Sequence, residues 1–269
     1  MFGNDGFKES QLEIINAALS GRDVMALIPT GGGKSLCFQL PALLGRGFTF
    51  IIMPLISLIE DQAYQLRQRN IKAFTFSKFS GQSNQQKNFY GDLLKGDESL
   101  KLIYLTPEKF VNSASFMSVL DKLYADDRIA RFVIDEVHCV SHWGQDFRKD
   151  YRELSLLRMR YPKVPIMALT ATATVPVKYD IVQILKLKNV VYFQQSFNRA
   201  NLNYQMRDKG RIKALAADIF DTVRTKFLYQ SGIIYCLSRQ ECEELCAELS
   251  EFQVKCDYYH AKMTDGARK

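Results

Sequence analysis

Two short stretches far apart in the chain carry residue types that together do phosphate chemistry. In Ile28-Pro29-Thr30-Gly31-Gly32-Gly33-Lys34-Ser35, a run of glycines is followed by a cation and a hydroxyl. Such glycines let backbone N–H groups close around phosphate oxygens. Lys34 supplies a compact positive charge for the β- and γ-phosphates, and the Ser35 hydroxyl suits a Mg²⁺ shell. Ile28 stands where the strict phosphate-loop pattern begins with Gly, so taken alone the stretch also reads as a flexible surface loop. The second stretch, Asp135-Glu136-Val137-His138, follows the apolar run Phe132-Val133-Ile134. At the end of a buried strand, Asp135 would hold the metal shell and Glu136 would orient or deprotonate an attacking water. The two stretches together point to a site for a nucleoside triphosphate.

Three further segments could narrow that chemistry. Phe7-Lys8-Glu9-Ser10-Gln11 places an aromatic, a cation and an amide upstream of the glycine loop. They could stack on adenine and hydrogen-bond its edge, or Phe7 could pack a helix while Lys8 is solvated. After the acidic pair, residues 139–151 hold the only tryptophan, Trp143, with Gly144, Phe147, Arg148, Lys149 and Tyr151. Aromatics interleaved with cations suit base stacking and phosphate neutralisation, whereas a lone Trp is often core. Thr170-Ala171-Thr172-Ala173-Thr174 could hydrogen-bond the acidic motif or cap a helix. Helix starts at Pro54-Leu55-Ile56-Ser57 and Thr106-Pro107-Glu108-Lys109 make phosphate contacts or are ordinary helix starts.

Elements of regular structure must bring these segments together. Apolar runs at 23–28, 48–53, 72–76, 100–105, 131–134, 166–169 and 190–193 read as strands. Between them, Leu55, Leu58, Ile59, Ala63 and Leu66 follow helical spacing, as do Ile181, Ile184 and Leu185. This alternation predicts a doubly wound α/β fold with a parallel sheet, whose ligands bind at the carboxyl ends of the strands. The polar stretch 77–88 reads as an exposed loop leading into a helix. A boundary is expected near 196–201, dividing the chain into 1–196 and 197–269. The second part should contain a helix at 212–220, a strand at 233–237, a helix at 241–249 and a strand at 255–259. That is too little for another full doubly wound domain, so the second unit reads as incomplete.

Bulk properties agree with this reading. The 269 residues are 47% hydrophobic, enough for one domain and part of another. A net charge of +7, from 36 Lys+Arg against 29 Asp+Glu, favours a polyanionic partner such as nucleic acid. No apolar run is long enough to span a membrane and the N-terminus lacks a signal-peptide pattern, so an intracellular protein without membrane contact is expected. The six cysteines form no Cys-x-x-Cys pair and read as buried free thiols, with neither zinc nor disulfides expected.

Taken in order, these segments resemble the RecQ group of superfamily 2 DNA helicases. The resemblance rests on Phe7-Lys8-x-x-Gln11, residues 29–42 around the glycine loop, Pro54-Leu55-Ile56-Ser57-Leu58 and Asp135-Glu136-Val137-His138. It continues through Trp143-Gly144-x-Asp146-Phe147-Arg148, Thr170-Ala171-Thr172-Ala173-Thr174 and Gly232-Ile233-Ile234-Tyr235-Cys236. Residues 102–109 look most like the short animal-type members. The resemblance implies a RecA-like first domain and a truncated second one. It also implies a motor dependent on ATP and Mg²⁺ that moves 3′-to-5′ on single-stranded DNA, opens forked or duplex DNA, and serves repair and recombination in the nucleus. Phe7, Lys8, Gln11, Thr30, Gly31, Gly32, Gly33, Lys34 and Ser35 would then hold the nucleotide, with Gln11 on adenine. Ser35 and Asp135 would bind Mg²⁺, Lys34, Asp135 and Glu136 would be catalytic, and Trp143, Phe147 and Arg148 would couple DNA to hydrolysis. This chain departs from the family pattern in three ways. His142 and Gln145 are exchanged and Lys149 replaces Pro; Lys8 stands for Arg; and Lys269 precedes the motif bearing the arginine finger. A rival reading is a fragment that binds ATP and DNA without unwinding. An RNA helicase is disfavoured by the Trp143 loop and by Val137-His138 in place of Ala-Asp.

Overall fold

The computed structural model describes residues 3, 5–76, 83–96, 99–144, 146–198 and 201–264, with backbone alone at 83–88. Gln145 and the first part of the polar stretch, 77–82, lie outside them. The chain divides into two compact units, one ending at residue 199 and one starting at residue 200.

In the first unit, α1 (Gln11–Leu19) leads to β1 (Val24–Leu27), α2 (Lys34–Leu44), β2 (Phe48–Ile52), α3 (Ile56–Gln68) and β3 (Ala73–Thr75). Then come α4 (Ser83–Lys95), β4 (Leu102–Leu105), α5 (Pro107–Asn112), α6 (Ala114–Ala125), β5 (Ile129–Ile134) and a 3₁₀ turn (Val137–Val140). The unit closes with α7 (Lys149–Arg152), α8 (Ser155–Arg160), β6 (Ile166–Thr170), α9 (Val175–Leu185) and β7 (Val191–Gln194). All seven expected strands form, in the order β3-β4-β2-β5-β6-β1-β7, and every neighbouring pair is parallel.

The strands are near-continuous apolar runs because helices cover both faces of the sheet. Alternate strand residues feed two cores. Met25, Leu27, Phe50, Ile52, Phe132 and Ile134 face one cluster. Val24, Ala26, Ile51, Tyr104, Val133 and Met167 face the other, with Ile14 of α1, Phe38 of α2 and Ile59 of α3. The register matters for the chemistry. Ile134 pairs with Ala168, and Leu27 pairs with Thr170, so the loops after β1, β5 and β6 leave the same edge at nearly the same height.

Near the opposite end of β1 a buried ion pair ties separate segments. Asp23 accepts from Arg158, from the Ile166 N–H at 2.8 Å and from the Lys188 N–H at 2.6 Å. Arg158 also donates to the Pro162 and Val164 carbonyls at 3.1 and 3.0 Å. The carboxylate and both terminal guanidinium nitrogens are thus hydrogen-bonded, which offsets the cost of burying the pair, while Arg158 Nε is left without a partner among the described residues.

The second unit departs from expectation. Its helices form, as α10 (Ile212–Lys226) and α11 (Arg239–Glu251), packed around Ala216, Leu245 and Leu249. The strands expected at 233–237 and 255–259 do not: among the described residues neither joins a ladder, and Leu237 is 95% exposed. A parallel strand exists only where a neighbour completes its hydrogen bonds, and apolar content alone does not supply one. The cysteines divide similarly. Cys37 and Cys139 are buried, and burial pushes each thiol up to about 12. The other four are only half-buried, contrary to expectation, with Cys246 and Cys256 sulfurs 3.6 Å apart.

Candidate active site

The glycine loop joins β1 to α2, and its conformation explains its composition. Gly31 and Gly33 have φ of 83° and 84°, a region that side chains disfavour. A Cβ at Gly32 would lie 2.5 Å from Ile28 Cγ2, and one at Gly33 would lie 2.3 Å from Gln11 Nε2. Lys34 and Ser35 form the first turn of α2, where unpaired N–H groups and the helix dipole favour an anion. Side chains are thus excluded from the loop by its left-handed backbone and by the close approach of Ile28 and Gln11, which leaves the tight backbone turn that a phosphate cradle needs.

Lys34 Nζ donates to Glu136 Oε1 at 2.8 Å and lies 3.6 Å from Asp135 Oδ1. Residues that follow two strands not paired with each other, β1 and β5, therefore meet across β6, which separates those strands in the sheet. Asp135 is buried; burial raises its carboxyl above the ordinary range, with Lys34 opposing. Glu136 has φ 49° and ψ 43°, a left-handed conformation that costs a non-glycine residue about 1–3 kcal/mol and clusters at functional sites. This donor set, one hydroxyl and two carboxylates around a phosphate cradle, fits a nucleotide with a divalent cation. Ser35 is half-buried at the cradle's edge.

The upstream segment grips the loop directly. Lys8 Nζ donates to the Gly31 carbonyl at 2.8 Å. Gln11 is buried; its amide donates to the carbonyls of Gly33 at 3.1 Å and Gly32 at 3.3 Å, and its oxygen accepts the Lys8 N–H at 2.8 Å. Both ends of the Gln11 amide are therefore engaged within the chain. Phe7 is exposed, so the helix-packing alternative does not hold for it. Beside these residues opens a cleft of about 430 Å³, lined by Gly3, Asp5, Gly6, Lys8, Gln11, Gly33 and Leu36. Its size falls within the range of small-molecule sites. A larger hollow of about 530 Å³ lies by β3, between Lys72 and Phe89, and contains none of these motif residues.

Two features of the acidic motif are not evident from spacing. His138 Nδ1 lies 2.8 Å from Thr170 Oγ1 and 3.4 Å from Glu136 Oε2. Thr170 Oγ1 in turn donates to the Thr172 carbonyl and accepts its N–H, both at 3.1 Å. With the hydroxyl proton on Thr172, His138 must donate through Nδ1. Burial lowers the His138 pKa, with Glu136 opposing, which favours the neutral ring. Of the two readings of the threonine segment, the hydrogen bond to the acidic motif is the one formed; Thr174 precedes α9 without a side-chain cap bond. Gly144 is the second feature: a Cβ there would stand 2.3 Å from the His138 carbonyl. The Trp143 loop therefore lies directly on the acidic motif.

Trp143 is 76% exposed, which excludes the core reading. Phe147 is at the margin of exposure, its ring stacked on His142 with centroids 3.8 Å apart. Arg148 is a tie rather than a free cation. It donates to Asp146 at 2.9 Å and to the Pro54 carbonyl, beyond β2, at 2.9 Å. The neighbouring carboxylate raises its pKa. Gln195, outside every motif, is also part of the site. Its side chain donates to the Glu9 carbonyl.

Comparison with known proteins follows this geometry. The family described as DEAD/DEAH box helicase matches residues 8–180. The ATP-dependent DNA helicase Q-like 2 of Arabidopsis thaliana is 45% identical over 100% of this chain and 38% of its own length. The RecQ-like DNA helicase BLM of Xenopus laevis is 45% identical over 99% of this chain and 19% of its own. The chain thus spans less than two-fifths of either relative. Among solved structures, the DUF1998 helicase MrfA bound to DNA and AMPPNP superposes with a TM-score of 0.66 at 18% identity, covering 93% of this chain and 37% of that one. That likeness establishes the RecA-like fold.

Proposed function

This chain belongs to the DEAD/DEAH box helicases, within their RecQ group, and from that premise we propose that it is the ATP-driven core of a DNA-unwinding enzyme. The observation that carries the proposal is Lys34 Nζ, held 2.8 Å from Glu136 at the mouth of the glycine cradle. Lys34 exchanges Glu136 for phosphate oxygens when nucleotide enters. The Glu136 carboxylate is then free to orient a water and accept its proton, with neutral His138 and Thr170 fixing its position. Backbone N–H groups of Gly31 and Gly33 would hold the phosphates, with Gly32, whose N–H donates to the Pro29 carbonyl at 2.9 Å, shaping the turn between them; Ser35 and Asp135 would hold Mg²⁺. The metal's part is to neutralise charge on the phosphate oxygens. Phe7, Lys8, Gln11 and Thr30 border the nucleoside and the loop.

Single-stranded DNA is the proposed partner of the Trp143 loop. Trp143 and Phe147 present rings to bases. Arg148 ties that loop to the Pro54 carbonyl, so loop movement reaches the nucleotide edge of the sheet. The finer features, 3′-to-5′ movement, action on forked or duplex DNA and a nuclear setting in repair and recombination, rest on the RecQ resemblance. Residues 1–196 would be the first RecA-like domain and 197–269 the opening part of a second.

The decisive experiment measures ATP hydrolysis and fluorescent ATP-analogue binding, with and without single-stranded DNA. Lys34→Ala should abolish binding, and Glu136→Gln should bind nucleotide but not turn it over. Wild-type affinity in Lys34→Ala would overturn the proposal. A second reading, that the chain by itself binds nucleotide and DNA without unwinding, is favoured by the unpaired segments at 233–237 and 255–259. A strand-displacement assay separates the two.

A further inference from the structure

Gln195 follows β7 and is 6% exposed, although Gln194 and Ser196 beside it are exposed. Its backbone N–H continues the sheet by donating to the Leu27 carbonyl at 3.0 Å, one strand from the glycine loop. A polar amide buried at a strand end requires hydrogen-bond partners. Its Nε2 donates to the Glu9 carbonyl. Its Oε1 faces the glycine loop, where a Cβ added to Gly32 would stand 2.9 Å away. One side chain therefore touches both segments of the proposed nucleotide site. Glu9 immediately precedes Ser10, whose φ of 59° turns the chain into α1 and brings Gln11 onto the loop carbonyls.

We infer that Gln195 is a positioning residue for nucleotide binding, setting the upstream segment and the glycine loop at the separation that nucleotide requires. This rests on the nucleotide reading above. Lys8 and Gln11 hold the loop at Gly31, Gly32 and Gly33, while Gln195 holds the segment that carries them. Removing its amide frees the Glu9 carbonyl, so the Ser10 turn loses one of its restraints and is held to the loop only through Lys8 and Gln11. The cost should therefore appear in nucleotide affinity rather than in the sheet, whose β7 ladder uses only backbone groups. Gln195 also lies shortly before the end of the first unit at residue 199.

The test uses the whole chain with Gln195→Met, which keeps the volume but removes both the donor and the acceptor, and with Gln195→Ala. ATP-analogue affinity is measured well below the thermal midpoint, and melting is followed in parallel. A lost buried hydrogen bond of this kind should weaken ATP binding about tenfold in both variants. The thermal midpoint of Gln195→Met should stay close to wild type. If Gln195→Ala fails to fold, Gln195→Met alone decides. Wild-type affinity in Gln195→Met, with or without a lowered midpoint, would show a merely structural amide and overturn the inference. Absence of ATP binding by the unsubstituted chain would instead overturn the nucleotide reading, and this inference with it.

Discussion

Thr170 Oγ1 lies 2.8 Å from His138 Nδ1, joining the end of β6 to the turn that follows β5. The same ring reaches Glu136 at 3.4 Å, so the proposed water-orienting carboxylate is held from the threonine segment. Thr170→Val keeps the shape and removes the closer acceptor, leaving the His138 Nδ1–H only the longer contact to Glu136 at 3.4 Å, at a cost of about 1 kcal/mol. Nucleotide affinity should change little, because Lys34 and the glycine loop are untouched. ATP turnover should fall about tenfold if as little as ~1.4 kcal/mol of transition-state positioning is lost. Steady-state ATPase kinetics beside equilibrium binding check this; a loss of affinity with normal turnover would contradict it.

His138 also gives a pH dependence. Burial lowers its pKa from 6.5, so the folded chain prefers the neutral ring while the unfolded chain takes up a proton near the ordinary value. More protons on the unfolded state means that stability rises with pH in this window. The contribution is complete above 6.5 and is lost as pH falls through the folded pKa. In nucleotide-free, metal-free buffer, the gap in Tm between wild type and His138→Gln should move against wild type as pH drops below 6.5. A gap independent of pH would exclude a buried neutral His138.

Gln11 bonds the loop carbonyls with its amide and Lys8 with its oxygen. Gln11→Ala should therefore weaken GTP as well as ATP, since the loop is loosened whichever base is bound. Competition titrations with both nucleotides read this. A loss confined to ATP would show instead that the amide leaves the loop to read adenine.

Trp143 is the sole tryptophan, so its fluorescence reports one exposed site. Single-stranded DNA should quench it, and Trp143→Ala should bind DNA more weakly with an unchanged melting midpoint. Arg148→Ala should behave differently. It loses the bond to the Pro54 carbonyl at 2.9 Å, so it should lower the midpoint and reduce DNA stimulation of the ATPase together. Unchanged fluorescence at saturating DNA would remove Trp143 from the interface.

The Asp23–Arg158 pair should matter for stability alone. Arg158→Ala leaves the buried Asp23 without its ion-pair partner, facing only the Ile166 and Lys188 N–H groups, at an expected cost of about 3–5 kcal/mol. Urea melts should show the loss while the surviving folded fraction binds nucleotide normally. A destabilisation below about 1 kcal/mol would mean that those N–H groups already compensate the carboxylate.

The sequence by itself determined the parallel sheet. Apolar runs of strand length separated by helical spacing specify strands buried on both faces, and all seven formed where expected. Its motifs also marked the glycine loop and the acidic pair, because a phosphate cradle needs local residue types in a fixed order. Tertiary structure alone decided what depends on neighbours distant in the chain. Register across β6 brings Lys34 to Glu136, and a loop seated on the His138 carbonyl explains Gly144. The cations around Trp143 left both an exposed and a core reading open, and the structure chose exposure. The tie from Arg148 to Pro54 and the inward turn of Gln195 have no signature in spacing, since their partners lie in other segments. The second unit shows the same physics from the other side. Residues 233–237 and 255–259 have strand-like composition, yet a strand is completed by hydrogen bonds that only an adjacent strand can supply.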